Sequence, residues 1–329
     1  MKGAYEVMVR NSRVQFKFTI ERNLTILRGN SATGKTTLIG MIAEYAENGT
    51  DSGVELQCER PCVVLFGKRW QEDLASIDNS IVFIDEGNPF VASIDFAHAA
   101  RESSNYYAIV TRADLPTLPY SVDEVYGIRN DTRRASKYPA VKRLYSSFFR
   151  LYGDRNAEEI HPDLVIVEDS NSGYEFFKAL CDKSSIPCIS AGGKSNVFQA
   201  VKNSDAKHVL VIADGAAFGP EIGSVLALGH AKSVRLFLPE SFEWLILQSG
   251  LIPDADIPAI LDNPSEYIES HDYFSWEQFF TDLLTSRATE GYLRYSKRKL
   301  NKVYLQERES QAIIGALPHA VADALMDID

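Results

Sequence analysis

Residues 29–37 read Gly-Asn-Ser-Ala-Thr-Gly-Lys-Thr-Thr, which fits the pattern GxxxxGK[ST] without a mismatch. Four apolar or β-prone residues precede it, Leu24, Thr25, Ile26 and Leu27, and a helix-compatible run follows over 38–45. Strand, glycine loop, helix is the order that phosphate cradling needs. Glycines let backbone N–H groups turn inward, and a helix N-terminus adds its positive dipole end. Gly29, Asn30, Ser31, Ala32, Thr33, Gly34 and Thr37 are therefore expected around the phosphates of a nucleotide. Lys35 is expected to reach the β- and γ-phosphates, and the Thr36 hydroxyl to sit on Mg²⁺. ATP and Mg²⁺ are the cofactors this stretch predicts.

A second stretch gives the first its weight. Ile81, Val82, Phe83 and Ile84 are followed by Asp85 and Glu86, the pattern of a buried parallel strand ending in two acids. Asp85 is placed to hold Mg²⁺, and Glu86 to polarise an attacking water. With Lys35, Glu86 is the expected catalytic residue, and the adjacent glutamate favours hydrolysis over transfer to a small acceptor. The strand predicted over 106–111 ends at Thr111, Arg112, Ala113 and Asp114. Strand ends on that side of an open α/β sheet line the ligand crevice, so Arg112 is either a γ-phosphate sensor or a surface arginine in a turn.

Composition sets the frame. The 329 residues suggest two domains or three, and 45% hydrophobic with 24% charged residues is ordinary for a globular core. A net charge of −11 argues against a chain coated in nucleic acid, though not against a local basic groove. Four cysteines do not make a disulfide framework, and buried reduced thiols are expected at Cys58, Cys62, Cys181 and Cys188. The N-terminus has no apolar signal region and no run of 18 apolar residues occurs, so a soluble, cytoplasmic protein with no membrane partner is expected.

Around the phosphate loop, Val7 and Val9, then Val14, Phe16, Phe18 and Ile20, alternate with a turn between them, a hairpin signal. Short strands are expected over 54–57 and 63–66, and helices over 70–76 and 94–103. From Pro162 the pattern restarts. Strands are expected over 164–168, 187–190, 208–213 and 234–238, with helices over 174–181 and, opened by Gly192-Gly193-Lys194-Ser195-Asn196, through Val201. Alternation of this kind means a parallel sheet with crossover helices. Glu168 and Asp214 close two of its strands, where a crevice forms.

Residues 129–155 carry Arg129, Arg133, Arg134, Lys137, Lys142, Arg143, Arg150 and Arg155 against Asp131 and Asp154, with Tyr138, Tyr145, Phe148 and Phe149 interleaved. That composition suits a nucleic-acid backbone with base stacking. It also suits an amphipathic helix docking Leu144, Phe148 and Leu151 with its charges solvated. In the tail, 252–265 reads as a proline-rich acidic loop. Helices are expected over 276–284, 290–308 and 311–326. The second of these carries Arg294, Lys297, Arg298, Lys299 and Lys302 with Tyr292, Tyr295 and Tyr304, either a solvated face or a DNA contact.

Residues 5–128, with the hairpin, the loop, the Asp85-Glu86 strand and the strand end at Arg112, resemble the ATP-binding core of ABC-type and overcoming-lysogenization-defect (OLD) ATPases. Only 50 residues separate Lys35 from Asp85, no LSGGQ-like stretch precedes Asp85, and Arg112 stands where the family's switch histidine would be. Residues 162–250 resemble a Toprim domain, the metal-binding module of topoisomerases, primases and OLD-type nucleases. The resemblance rests on Glu168, on Gly192, Gly193, Lys194 and Ser195, and on Asp214, with 239–243 similar to an acidic segment of defence-related relatives. It implies Mg²⁺ or Mn²⁺ on Glu168 and Asp214, where several carboxylates must converge for two-metal phosphodiester chemistry. The second acid of the family's Asp-x-Asp is Ala216 here, and Asp169, Glu221, Glu240 and Glu243 are the candidate substitutes.

The expected fold class is α/β: a P-loop NTPase domain over 1–135, a basic linker or helix over 136–160, a Toprim-like parallel α/β domain over 161–250 and a helical C-terminal region over 251–329. Both sheets are expected to be parallel. The expected function is a Mg²⁺-dependent ATPase whose nucleotide state controls a Toprim-like effector on DNA or RNA, as in OLD-type phage defence. The resemblance further implies a homo-oligomer and leaves room for a protein partner. Competing readings are an ATP-dependent sensor or scaffold with an inactive second domain, which Ala216 favours, a DNA-binding partner protein tuned by ATP, and a small-molecule kinase, which Glu86 disfavours.

Overall fold

The computed structural model describes residues 1–29, 33–130, 143–153, 161–289 and 291–326. The chain divides into two compact units, Met1–Gly153 with Asn263–Phe274, and Asp154–Asp262 with Ser275–Asp329.

The first unit runs β1 (Tyr5–Arg10), β2 (Val14–Ile20), β3 (Leu24–Leu27), α1 (Lys35–Asn48), β4 (Glu55–Gln57), β5 (Cys62–Val64), α2 (Trp70–Leu74), β6 (Ile81–Ile84), α3 (Ile94–Glu102), β7 (Tyr106–Val110), β8 (Val125–Asn130) and β9 (Leu144–Arg150). They form one sheet in the order β4-β1-β2-β9-β8-β3-β7-β6-β5. The strands β3, β7, β6 and β5 are parallel, and every residue of β3, β6 and β7 is buried. Their near-continuous apolar runs follow from cover on both faces. Leu27, Phe83 and Ala108 pack on one side with Leu38 and Ile42 of α1, while Leu24, Ile84 and Ile109 pack on the other with Phe96 of α3. The hairpin β1–β2 is antiparallel and half-buried, Val7 opposite Phe18, as its alternation requires.

Two expectations fail in this unit. The sheet is mixed rather than parallel, since β1–β2, β1–β4 and β8–β9 are antiparallel. The expected helix docking Leu144, Phe148 and Leu151 is strand β9 from Leu144 to Arg150. Positions 144 and 148 share a face at period 2 as well as at 3.6, so the spacing did not separate the two. Phe148 stacks on Phe18 with ring centroids 4.0 Å apart, while Leu144 and Leu151 are exposed. Most of the remaining basic stretch, over 131–142 and 154–160, lies outside the described residues.

Residues 263–274 return to the first unit from far along the chain. The Ser270 hydroxyl donates to the Ser104 carbonyl (3.0 Å), the Asn23 side chain donates to the Ser270 carbonyl (2.9 Å), and the Gly3 amide donates to the Ser265 carbonyl (2.7 Å). Phe274 joins the core beside Leu24 and Tyr107.

Glu124, just before β8, is fully buried. Its carboxylate accepts from the Thr25 hydroxyl (3.0 Å) and the Tyr126 hydroxyl (3.2 Å), with the Arg22 guanidinium 3.7 Å away. Burial pushes this carboxyl up to about 7, against the pull of Arg22. The folded chain therefore keeps a proton that the unfolded chain has already released above the usual carboxylate range. Stability falls as pH rises from there to about 7, by up to about 3 kcal/mol from this group. Glu124→Gln removes the titration. Thermal unfolding between pH 5 and 7.5 is expected to show a flatter decline for the variant than for the parent, and equal slopes would assign the pH dependence elsewhere.

The second unit runs β10 (Leu164–Val167), α4 (Ser172–Lys183), β11 (Cys188–Ser190), α5 (Lys194–Asn203), β12 (His208–Ile212), α6 (Gly219–Ala227), β13 (Ser233–Phe237), α7 (Phe242–Gln248), α8 (Ile257–Asp262), α9 (Trp276–Arg287), α10 (Glu307–Ile314) and α11 (His319–Met326). Its sheet is parallel, in the order β11-β10-β12-β13. The helix α4 buries Phe176, Phe177, Leu180 and Cys181.

The tail departs from the sequence reading. The stretch 252–265, expected as a loop, contains α8. The helix expected over 290–308 is irregular chain over 291–306, with a 3-10 turn at Lys302–Leu305, before a short helix opens at Glu307. Arg294, Lys297, Arg298 and Lys302 would stand three and four apart on a helix and repel. The Asn301 side chain instead donates to the Tyr292 (2.8 Å) and Arg294 (3.1 Å) carbonyls, and Tyr295 and Tyr304 turn inward. The last expected helix is two, parted at Gly315 and Pro318.

Among the described residues no helix is long and apolar enough to cross a membrane. The four cysteines are free thiols, three of them buried and Cys58 half-buried.

Candidate functional site

Two groups of residues sit at the carboxyl ends of parallel strands, one in each unit. In the first unit β7 lies between β3 and β6, in register Leu27 to Val110 and Ile84 to Ile109. Parallel pairing sends the chain after Leu27, Thr111-Arg112 and Asp85-Glu86 out of the same sheet edge. Asn30, Ser31 and Ala32 lie outside the described residues. Gly29, Thr33, Gly34 and Lys35 frame the loop. Gly34 has φ +93°, and a Cβ there would meet the Phe16 ring at 3.3 Å, so both backbone and packing require glycine.

Lys35 opens α1 and is buried at 6% exposure. Its ammonium donates to the Gly29 carbonyl (2.9 Å) and the Thr33 hydroxyl (3.0 Å). Burial lowers its pKa, with Arg112 adding to the shift and Glu86 and Asp85 opposing it. That electrostatic set brings together the loop lysine, both strand-end acids and Arg112. The Arg112 guanidinium is 2.9 Å from the Glu86 carboxylate, in an exposed ion pair. An Asp85 carboxylate oxygen accepts from the Glu86 amide (2.8 Å). Thr36 and Thr37 face solvent on the first turn of α1. A hydroxyl and a carboxylate at this edge are the hard oxygen donors that suit Mg²⁺.

In the second unit Glu168 follows β10 and Asp214 follows β12, on adjacent strands. The structure brings them together: the Asp214 amide donates to a Glu168 carboxylate oxygen (3.0 Å), and the Gly193 amide donates to the Glu168 carbonyl (2.7 Å). The Lys194 ammonium donates to the Ala217 carbonyl (3.0 Å). Ala216 is buried at 2% and brings no ligand.

Sequence reasoning missed the tail residues whose charges act on Glu168 and Asp214. Glu277, in the first turn of α9, is ion-paired with Lys297. The Tyr295 hydroxyl donates to the Glu243 carboxylate (2.7 Å) and is 2.7 Å from the Ser172 hydroxyl. The Lys297 carbonyl accepts from the Ser172 amide (3.0 Å), fixing this irregular segment against the start of α4. Of the proposed substitutes for Ala216, Asp169 accepts from the Tyr174 amide (3.0 Å), and Glu243 is buried at 1% exposure. The one signal for Glu277 and Lys297 was an acid in a helical first turn and a lysine among many, which points nowhere by itself.

Electrostatics ties these groups together. Burial pushes the Glu168 carboxyl up to about 7, with Glu277 and Asp169 adding to the shift and Lys194 opposing it. Burial raises Asp214 well above the usual carboxylate range, and Glu277, Glu168 and Glu243 raise it further. Burial works to lower the Lys297 pKa, but Glu243, Glu277 and Asp214 outweigh it and hold the ammonium protonated. A cavity of about 20 Å³, room for one water or one ion, opens between Glu168, Asp169, Asp214, Gly173, Pro239 and Phe242. Among the described residues no three His, Cys, Asp or Glu side chains are already set around a metal position. One Glu243 carboxylate oxygen is nevertheless buried without a hydrogen-bond partner, and an all-oxygen donor set of this kind fits Mg²⁺ or Mn²⁺.

No protein family, curated protein or solved structure matches this chain.

Proposed function

We propose that this chain is a Mg²⁺-dependent ATP hydrolase whose nucleotide state controls an effector site on the second unit, directed at the phosphodiester backbone of DNA or RNA. The observation that supports it is the gathering of Lys35, Asp85, Glu86 and Arg112 at one sheet edge beside a glycine-framed loop. Lys35, now held by loop oxygens, has a bound γ-phosphate as its natural acceptor. Thr36 and Asp85 would hold Mg²⁺, which when bound neutralises charge on the phosphates. Glu86 orients the attacking water once its ion pair with Arg112 opens, and the freed Arg112 faces the γ-phosphate. Glu168 and Asp214 would hold the cation of the effector site. Fusion of two such units in one chain, like that of OLD-type systems, is the reason to link them.

Phosphate release from ATP tests the first half. Glu86→Gln is expected to lower turnover by roughly 10²–10³-fold while leaving ATP binding within a few-fold, since it removes the group that positions water. Unchanged turnover would remove Glu86 from the chemistry. Plasmid or RNA cleavage with Mg²⁺ or Mn²⁺, lost in Glu168→Ala, tests the second half. A second reading, an ATP-dependent sensor with an inactive second unit, is favoured by buried Ala216 and by the lysine already seated among the acids. ATP hydrolysis with no cleavage under any condition selects it.

A further inference from the structure

We propose that Cys58 and Cys62 form a redox-active dithiol, in which Cys58 is the sulfur that a low-molecular-weight disulfide such as oxidised glutathione reaches first and Cys62 the sulfur that closes the bond. The inference stands on the first unit alone and depends neither on ATP hydrolysis nor on the second unit.

The strand β4 ends at Gln57 and β5 opens at Cys62, so only residues 58–61 join them, although the two stand at opposite ends of the strand order. The chain bends at Glu59 and Arg60. Arg60 pins the bend. Its guanidinium lies over the Tyr5 ring, 5.3 Å from the centroid. Its amide donates to the Cys58 sulfur (3.5 Å), and its carbonyl accepts from the Cys62 thiol (3.8 Å). Both sulfurs are thus held on the backbone of one residue. They share the inner side of the bend: Cys62 belongs to the core cluster of Val9 and Ile42, and Cys58 packs against that cluster, while Glu59 and Pro61 are exposed. The two sulfurs are also hydrogen-bonded to each other. A disulfide needs its Cα atoms within about 7 Å, which three intervening residues permit only where the chain folds back as it does here.

The two thiols are unlike. Cys58 is half-buried, whereas Cys62 is 8% exposed. The bond with Cys62 holds the Cys58 thiol below the usual thiol range against the opposing effect of burial, and the Arg60 amide helps. The same bond and burial raise Cys62. Thiolate is the attacking form, so the reachable sulfur is also the one more often ionised. The Cys58 thiolate attacks one sulfur of oxidised glutathione and expels one glutathione thiolate, leaving a mixed disulfide. Cys62 then gives its proton to solvent and attacks the Cys58 sulfur, expelling the second glutathione. Two protein thiols become one disulfide, and one glutathione disulfide becomes two thiols. The other two cysteines, Cys181 on α4 and Cys188 on β11, are 0% and 5% exposed, and neither offers a reachable sulfur.

Oxidised glutathione in excess, added to the folded full-length chain and followed by alkylation and mass spectrometry, tests this. Cleavage after Glu59 parts the two cysteines, so their disulfide shows as two peptides joined until a reductant is added. The parent is expected to lose two alkylatable thiols, at Cys58 and Cys62, with no glutathione retained, and dithiothreitol to restore both. Cys62→Ser is expected to stop at one glutathione on Cys58, and Cys58→Ser to react at least ~10-fold more slowly than the parent. Unfolding temperatures report whether each variant is folded, and the peptide map of the parent needs no variant. If Cys58 and Cys62 are both still alkylated in the treated parent, the proposal falls. A glutathione adduct that persists on Cys58 in the parent would show that Cys62 closes no bond. Reaction of Cys58→Ser through Cys62 at the parent's rate would overturn the order of attack. Loss of Cys181 and Cys188 as fast as Cys58 would mean that unfolding, not the bend at Arg60, exposes the thiols.

Discussion

Lys35→Ala is expected to reduce ATP hydrolysis by roughly 10²–10³-fold, the loss typical of removing one preorganised donor from a developing negative charge. The local electrostatics makes a smaller effect hard to arrange. Asp85 and Glu86 both act on the Lys35 ammonium, and Arg112 is already engaged by Glu86. Without the lysine, an incoming polyphosphate meets the Asp85 and Glu86 carboxylates with less positive charge to offset them. On the proposed ATP hydrolysis, ATP affinity should fall with turnover, because the same ammonium would serve both the bound nucleotide and the transition state. The fold should survive. Lys35 is a buried cation whose charge burial disfavours. Phosphate release, fluorescent-nucleotide binding and thermal unfolding of the variant together check this. Full activity in a folded Lys35→Ala chain would mean that the loop does not hold the reacting phosphates.

Gly215→Ala is expected to be the most damaging single-methyl change in the second unit. A Cβ at this position would lie 2.6 Å from the Leu238 carbonyl oxygen and 2.9 Å from that of Pro239. Both are backbone atoms, so no side chain can rotate away. The Gly215 amide also donates to the Pro239 carbonyl at 2.6 Å, which holds the turn after β12 against the strand end of β13. Relief requires the two segments to part, at about 2–3 kcal/mol for overpacking of this kind. For a unit of this size that is a drop of roughly 5–10 °C in unfolding temperature. Asp214 is the preceding residue, so any cation binding at the acid cluster should fall with it. An unfolding temperature within a degree of the parent would show that the turn after β12 yields more easily than its contacts imply.

The sequence was most legible where elements are local: the strand before residue 29, the helix that opens at Lys35 and the strand that ends before Asp85 stand where the sequence placed them. What placed Arg112 beside them was strand order. Insertion of β7 between β3 and β6 is a pairing choice between distant segments, and nothing in the Tyr106–Val110 run announces its neighbours. The strand β9 was misread because Leu144 and Phe148 satisfy both periods, and only stacking of Phe148 on Phe18 resolves the ambiguity. Glu168 and Asp214 were legible as strand-end acids. The pairing of Glu277 with Lys297 and the bond from Tyr295 to Glu243 were not, because each joins residues far apart in sequence or set by tertiary folding. The helix expected over 290–308 failed for a further reason: side-chain bonds from Asn301 and inward burial of Tyr295 and Tyr304 outweigh ordinary helix propensity.

The return of residues 263–274 to the first unit has a consequence for how the protein is made. The ribosome finishes all of β1–β9 early, yet Ser265, Ser270 and Phe274 emerge only after the whole parallel sheet of the second unit has been synthesised. Until then Asn23 and the backbone of Ser104 lack their partners, and the N-terminal half waits as a nearly finished body. No single cut separates the two units, so proteolysis or gene truncation between them should release an incomplete first unit. An isolated first unit becomes feasible only if the twelve-residue strap is grafted back.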